Sequence, residues 1–477
     1  MGQTRFGCSL PEARHNLLVL SDVHLGSDLV QHCRPGAPAR SAASLRRDRD
    51  LAALLDWYRE RPEQGRPWRL VIAGDLVDFV GMSVSAEAGE ISTEPNQDER
   101  SHGLGGAVDH TLAKLRLVAE HHREVFAALA RFVAAGNTLV VVRGNHDVDF
   151  HWEPVQAAFR DVLARHGAGE SDAVEFAEWF YYEEGVVFIE HGHQYDDFCS
   201  YEHVLHPVTP SDPRRSARSL SDILLRYVVR PTRGMRESGH DTASAIDYLR
   251  FGARLGARGI LGLGRRFVLA VATLLGVWRE HMSDAALWVR QEHERKMALL
   301  AEARHISLLK LQALASLQRP PITRSVLRIL AGVMLDRVAV AVLATVALIW
   351  VLIARWTPAL GVGALVSLAG LATIAWLWRR ARGSIDASAL LRERAARVGS
   401  VFPAAFVVMG HTHLPELRAT RPDSSYVNVG AWAEEEPEDG GATSLPATRT
   451  HLVVRLVDGR PTAALLAWDA ETGPKRF

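Results

Sequence analysis

The chain has 477 residues with 55 basic and 55 acidic side chains, so its formal charge is zero and its composition carries no nucleic-acid signature. Only three cysteines occur, Cys8, Cys33 and Cys199. Their wide spacing and odd number imply no disulfide framework or paired-thiol zinc site and fit a reducing compartment best.

The N-terminus, with Glu12 and Arg14 and no long apolar core, does not read as a secretion signal. A first apolar strand over 17–21 runs into Asp22 and His24. Residues 42–61 follow as an amphipathic helix with Leu45, Leu51, Leu54, Leu55 and Tyr58 as its buried stripe. A strand over 70–73 ends at Gly74, Asp75 and Asp78. The polar stretch 79–106, rich in Gly, Ser and Glu, reads as a mobile loop at the mouth of a site. Residues 111–135 form one strong helix stopped by Gly136 and Asn137. The β-branched run 140–142 then breaks into Arg143, Gly144, Asn145, His146 and Asp147, and a strand over 186–190 into His191 and His193. Strand and helix alternate, as in an α/β domain.

The second half changes character. Residues 213–266 are strongly basic, and Arg250, Arg254 and Arg258 fall on one helix face. That face is either plain solvated surface or one that meets anionic lipid headgroups or steers a phosphate. The apolar run 267–278 is too short for a bilayer and reads as an interfacial or core helix. Residues 283–317 read as one long helix ended by Pro320 and Pro321. The uncharged runs 338–354 and 359–378, around the turn Trp356, Thr357, Pro358, read as a transmembrane hairpin, the alternative being a buried soluble one. Arg324, Arg328 and Arg337 precede it and Arg379, Arg380 and Arg382 follow it, which by charge would keep both ends, and the strands on either side, in the cytoplasm. A return helix over 387–398 leads to a strand over 406–409 that delivers Gly410, His411 and His413, and to strands over 426–429, 452–456 and 463–468. The acidic loop 434–439 reads as solvated surface.

Each strand tip alone is ordinary. Together the ordered set (DxH, GDxxD, GNHD, a GxH-flanked His and GHxH) resembles the calcineurin-like metallophosphoesterase superfamily over roughly residues 15–200 and 400–477. The resemblance implies an α/β/β/α sandwich of two mixed sheets, and two divalent metals about 3.5–4 Å apart whose bridging hydroxide attacks a phosphate mono- or diester in line. It assigns Asp22, His24 and His413 to one metal, Asn145, His191 and His411 to the other, and Asp75 to the bridge. A donor set of O and N suits manganese first, with iron or zinc as alternatives. His146 is implied to assist the leaving group, oriented by Asp78. Asp147 reads as a turn residue, Asn428 and Gly430 resemble an element that follows GHxH, and His193, Asp196 and Arg143 are candidate pocket residues. Phe79 and Val80 stand where phosphoprotein phosphatases carry arginine and glycine. A distant similarity links the chain to UDP-2,3-diacylglucosamine diphosphatases, which usually carry arginine at the place of His146.

The expected organisation is a phosphoesterase domain in two parts, 1–200 and 383–477, separated by a basic helical insertion over 201–325 and the membrane hairpin over 326–382. The expected activity is hydrolysis of an amphiphilic or lipid-linked phosphate, with the membrane bound through 338–378 and no specific nucleic acid. A phosphodiesterase for soluble nucleotides or nucleic acid would use the same site, and a non-enzymatic membrane scaffold is the reading of another class.

Overall fold

The computed structural model describes residues 15–33, 35, 36, 40–87, 89–169, 171–232, 245–332, 386–433 and 448–477, with Ile349, Ala369, Gly370, Ala372 and Thr373 between. The two arms expected to form a membrane hairpin lie, apart from those five residues, outside the described residues, as does the acidic loop.

Fourteen strands are described: β1 (Asn16–Leu20), β2 (Trp68–Ala73), β3 (Thr138–Val142), β4 (Val174–Ala177), β5 (Phe180–Glu183), β6 (Val187–Glu190), β7 (Val208–Thr209), β8 (Asp212–Ser216), β9 (Phe406–Met409), β10 (Glu416–Arg421), β11 (Ser424–Asn428), β12 (Thr450–Val457), β13 (Arg460–Asp469) and β14 (Gly473–Arg476). They form a seven-stranded sheet in the order β14-β13-β12-β1-β2-β3-β4, a five-stranded sheet β10-β11-β9-β6-β5, and the pair β7-β8. The strands β1 to β4 run parallel, and β12 closes antiparallel on β1.

The alternation of side chains explains the layering. Leu17, Val19, Val71, Val140 and Val142 face Val187, Ile189, Val408 and Val427 of the second sheet. Their neighbours Leu18, Leu20, Leu70, Ile72 and Val141 face the other way, into helices α1 (Ala42–Glu60), α3 (Val108–His121), α4 (Arg123–Ala134) and α5 (Glu153–Arg165), which follow the short α2 (Gln97–His102). A two-residue period thus serves two cores at once, and the result is the expected helix, sheet, sheet, helix stack.

Four expectations change. Leu45 is 42% exposed and does not join the α1 stripe. The stretch 79–106 is packed at both ends: Phe79, Met82, Val84 and Leu104 are buried, and α2 carries a capping box from Asn96 and Glu99. The single helix over 111–135 breaks at His122, whose buried ring accepts from the Gly26 amide and sits 2.7 Å from Asp48. The helix over 283–317 divides into α8 (Asp284–Ala303) and α9 (Leu308–Leu317), with His305 in a left-handed turn between them.

The basic segment is not all helical. It opens with the hairpin β7-β8, whose Arg215 bridges to Ala107 and pairs with Glu99. Then α6 (Leu220–Leu224) passes into a π-helical turn, Leu225–Val229. Arg218 and Arg226 pair with Asp98, so these cations are turned inward rather than onto a lipid-facing surface. Helix α7 (Ala245–His281), broken at Gly256, is longer than the apolar run suggested. Its stretch Arg254–His281 is, among the described residues, the one helix long and apolar enough to cross a membrane. Ala270 and Leu274 pack on Leu220, Ile223, Tyr227 and Val228, with Ile322 and with Ile329 of α10 (Val326–Gly332). The return helix is α11 (Ala387–Val401), laid on the second sheet through Leu391, Ala395 and Val398.

Histidines line the seam where α8 docks. His206 stacks edge-on against Trp288 and His151, and His203 lies beside His293. Burial, with Lys296 and Arg143 nearby, lowers His206 to about 4, and burial and neighbouring cations lower His203 to about 3 and His293 to about 4. The unfolded chain takes up these protons near pH 6.5 and the folded one only below about 4, so the stability present above pH 6.5 is lost as pH falls through that window. His206→Phe keeps the ring packing and removes one titration. Thermal melts of that variant are expected to fall less steeply than wild type between pH 7 and pH 5, and parallel slopes would contradict the assignment.

Candidate metal centre and active site

The site lies where five strands end. After β1, β2 and β9 the chain turns so sharply that Asp22, His24, Asp75, His411 and His413 all hold positive φ, between 50° and 69°. A left-handed backbone costs a non-glycine residue about 1–3 kcal/mol. Those costs fall on the residues expected to hold metal. Gly74, with φ 88°, is required for a second reason: a Cβ there would lie 2.4 Å from the His191 ring.

Asp22 is fully buried. Its Oδ2 accepts from Ser21 Oγ at 2.5 Å and from the His411 amide at 3.1 Å. Its Oδ1 makes no hydrogen bond, although His413 Nε2 stands 3.1 Å away and His24 Nε2 3.8 Å away. Asp75 Oδ1 accepts from the His146 amide at 2.8 Å, and Oδ2 lies 3.1 Å from His191 Nε2 and 3.7 Å from His24 Nε2. His191 donates through Nδ1 to the Ala73 carbonyl at 2.8 Å, which turns Nε2 toward the cluster, 3.0 Å from Asn145 Oδ1. Burial by itself would raise both carboxyls. The surrounding histidines outweigh it and hold Asp22 and Asp75 below the usual carboxylate range.

Asp22, His24 and His413 gather as one group, and Asp22, Asp75 and His191 as another. His411 stands apart from both. Its Nε2 is 3.1 Å from Asp196 Oδ2, with Cys199 close by, while its ring centroid is 5.3 Å from that of His191. Asp196 is therefore a partner of His411 here. His193 is buried beside His191, with Nδ1 unpartnered and burial lowering its pKa well below the ordinary value. Arg143 corrects an expectation. Its guanidinium donates to the Val204 carbonyl and lies 3.4 Å from His151 Nδ1, so it is an internal strut rather than a group that meets substrate.

His146 keeps 20% exposure, and its Nδ1 donates to Asp78 Oδ1 at 2.6 Å. Burial disfavours its charge, but Asp78 and Asp75 overcome that and raise it to about 10. Asp147 accepts from the Gly144 and Leu76 amides at 2.6 and 2.8 Å and ties two strand tips together. Asn428 donates to the Gly410 carbonyl at 2.7 Å and braces the turn before His411.

Reading the motifs alone missed three groups. The Tyr201 hydroxyl lies 2.9 Å from the Asn145 carbonyl and 2.9 Å from Asp222 Oδ2, and Arg230 pairs with Asp78 at 2.8 Å. All three come from the segment assigned to an insertion, where no local pattern marks them.

The residues fit divalent cations. Asp22 Oδ1 and His24 Nε2 are buried without hydrogen-bond partners, and they converge with further O and N donors of borderline hardness. An α/β sandwich with such a cluster at its strand ends is suited to metal-dependent hydrolysis. Residues 15–245 match the Calcineurin-like phosphoesterase family, a family that usually binds two divalent metals, and the chain is a metal-dependent phosphoesterase. No curated protein matches the chain.

Cations that bind the folded state stabilise it by about 2.7 kcal/mol at a hundredfold excess over Kd. Chelation is expected to lower the melting temperature, and Asp75→Asn to reduce bound metal and blunt that shift. Unchanged metal content by elemental analysis would remove Asp75 from the ligand set.

Proposed function

We propose that the protein hydrolyses a phosphate mono- or diester, with Asp22, His24, Asp75 and His413 holding one cation and Asp75, Asn145, His191 and His411 the other. Manganese is the expected metal. When bound, the pair supplies a nucleophilic water near neutral pH and clamps the phosphoryl oxygens. His411, whose Nε2 meets Asp196 Oδ2 at 3.1 Å, would offer its Nδ1, with Asp196 as its outer partner.

The observation that carries the reading is His146 on Asp78. A ring whose Nδ1 is committed to a buried carboxylate leaves Nε2 to give a proton to the departing oxygen. His146 keeps partial exposure while Asp78 has none, so substrate meets the imidazole and not its partner.

The leading substrate class is an amphiphilic or lipid-linked phosphate. Ile260, Leu261, Val268 and Leu269 are exposed on a helix that also presents Arg254, Arg258 and Arg265, a combination suited to an anionic bilayer. The hairpin over 338–378 would anchor the chain with the catalytic domain in the cytoplasm. A second reading, a phosphodiesterase for soluble nucleotides or nucleic acid, is favoured by the inward pairing of Arg215, Arg218 and Arg226. A non-enzymatic scaffold would waste the ligand cluster.

Detergent-purified protein is expected to turn over at least one of p-nitrophenyl phosphate, bis-p-nitrophenyl phosphate and a nucleoside-diphosphate-linked lipid, and to need manganese. His146→Ala is expected to lose about 10²–10⁴ in kcat. Full activity on a soluble diester after deletion of 330–382, in detergent-free buffer, would favour the second reading. No turnover with any metal would overturn the proposal.

A further inference from the structure

Asp78 is held from two sides. Its Oδ1 accepts from His146 Nδ1 at 2.6 Å and from the Gly81 amide at 2.7 Å. Its Oδ2 accepts from Arg230 Nη2 at 2.8 Å, and Arg230 Nη1 donates to the Ser27 carbonyl at 2.5 Å. One guanidinium therefore ties the carboxylate behind His146 to the loop that follows the first ligand-bearing tip. A planar fork with two separated donors can do this; a single ammonium cannot reach both acceptors equally.

Two further features are shaped around this pair. The Arg230 amide bonds the Leu225 carbonyl at 2.9 Å, five residues back, so the side chain leaves a π turn, a widened coil that recurs at functional sites. Gly81 supplies the space. A Cβ there would stand 2.1 Å from Asp78 Oδ2 and 2.4 Å from Arg230 Nη2. Its backbone is not left-handed, so the contact alone disfavours a side chain.

Arg230 is not alone in holding its helix in place. Arg226, one turn earlier, pairs with Asp98 and donates to the Gly103 and Leu104 carbonyls. Tyr227 and Val228 are buried with Ala270 and Leu274. A helix docked by other residues yet delivering a buried cation to the carboxylate behind His146 calls for a role at the site.

We propose that Arg230 is a positioning residue for leaving-group protonation: it fixes Asp78 Oδ2 so that Oδ1 aims the His146 imidazole. The inference rests on His146 acting on the leaving oxygen. It assigns to residues 220–230 a direct part in building the site.

The test uses the full chain with manganese and two substrates, phenyl phosphate and p-nitrophenyl phosphate, or the matching aryl diesters if those are preferred. Arg230→Ala is expected to lower kcat about 10- to 100-fold, below the full general-acid contribution, with KM and bound manganese little changed. The loss should be larger for the phenyl ester, whose oxygen needs the proton more. Arg230→Lys should recover part of it, and Gly81→Ala should reproduce the leaving-group dependence without removing a charge. In a His146→Ala background Arg230→Ala should cost less than about twofold, because residues acting as one unit are not additive. Losses that multiply in the double variant, equal losses for both esters, or a raised KM with unchanged kcat would overturn the inference. Unchanged kcat in His146→Ala alone would instead overturn the reading of His146, and with it this one. If Arg230→Ala does not fold, Gly81→Ala and Arg230→Lys carry the same comparison.

Discussion

The structure depends on keeping two carboxylates, Asp22 and Asp75, charged where water is excluded. Buried charge is tolerated only when paired. The sheets therefore deliver imidazoles to the same point: His413 and His24 beside Asp22, His191 and His24 beside Asp75. Parallel strands make this possible because their carboxyl ends lie together, and each can finish in a different polar turn. The left-handed turns at Asp22, His24, Asp75, His411 and His413 are the local cost of directing side chains inward from adjacent strands.

Support behind the donors is as ordered as the donors themselves. Ser21 and the His411 amide occupy one oxygen of Asp22 and leave the other facing the histidines. The Ala73 carbonyl sets the His191 tautomer. Asp147 clips the Asn145 turn to the Asp75 turn through two amides, with its own carboxyl pushed up to about 7 by burial and by Asp75. These contacts come from backbone or neighbouring strands, so the geometry is fixed before any cation arrives.

Much of this could be read from residue order. An apolar strand followed by a tight polar turn is a local pattern, and β1, β2, β3, β6 and β9 with the residues at their tips stand where that pattern placed them. What was not legible depends on distant contacts. The break at His122 comes from Gly26 and Asp48, invisible to helical periodicity. Arginines after residue 213 looked like a surface because charge density says nothing of direction, yet Asp98, Glu99 and Asp78 draw four of them inward. Arg143 sits inside a ligand motif and still serves the Val204 carbonyl. The polar stretch after Asp78 is tied down near its end, where the arginines and the capped α2 hold it.

The antiparallel closure of β12 on β1, with His411 and His413 delivered from the strand that joins β6 to β11, has a consequence for biogenesis. Asp22 and His411 are 389 positions apart, and their contact forms only after the intervening chain has been made. At about 5–20 residues per second, the first half waits roughly 20–80 s on the ribosome with a partial ligand set. A chain not yet extended that far lacks His413 and three of the five strands of the second sheet. The cluster of Asp22, His24 and His413 is thus complete only after strand β9 and the turn beyond it have been made.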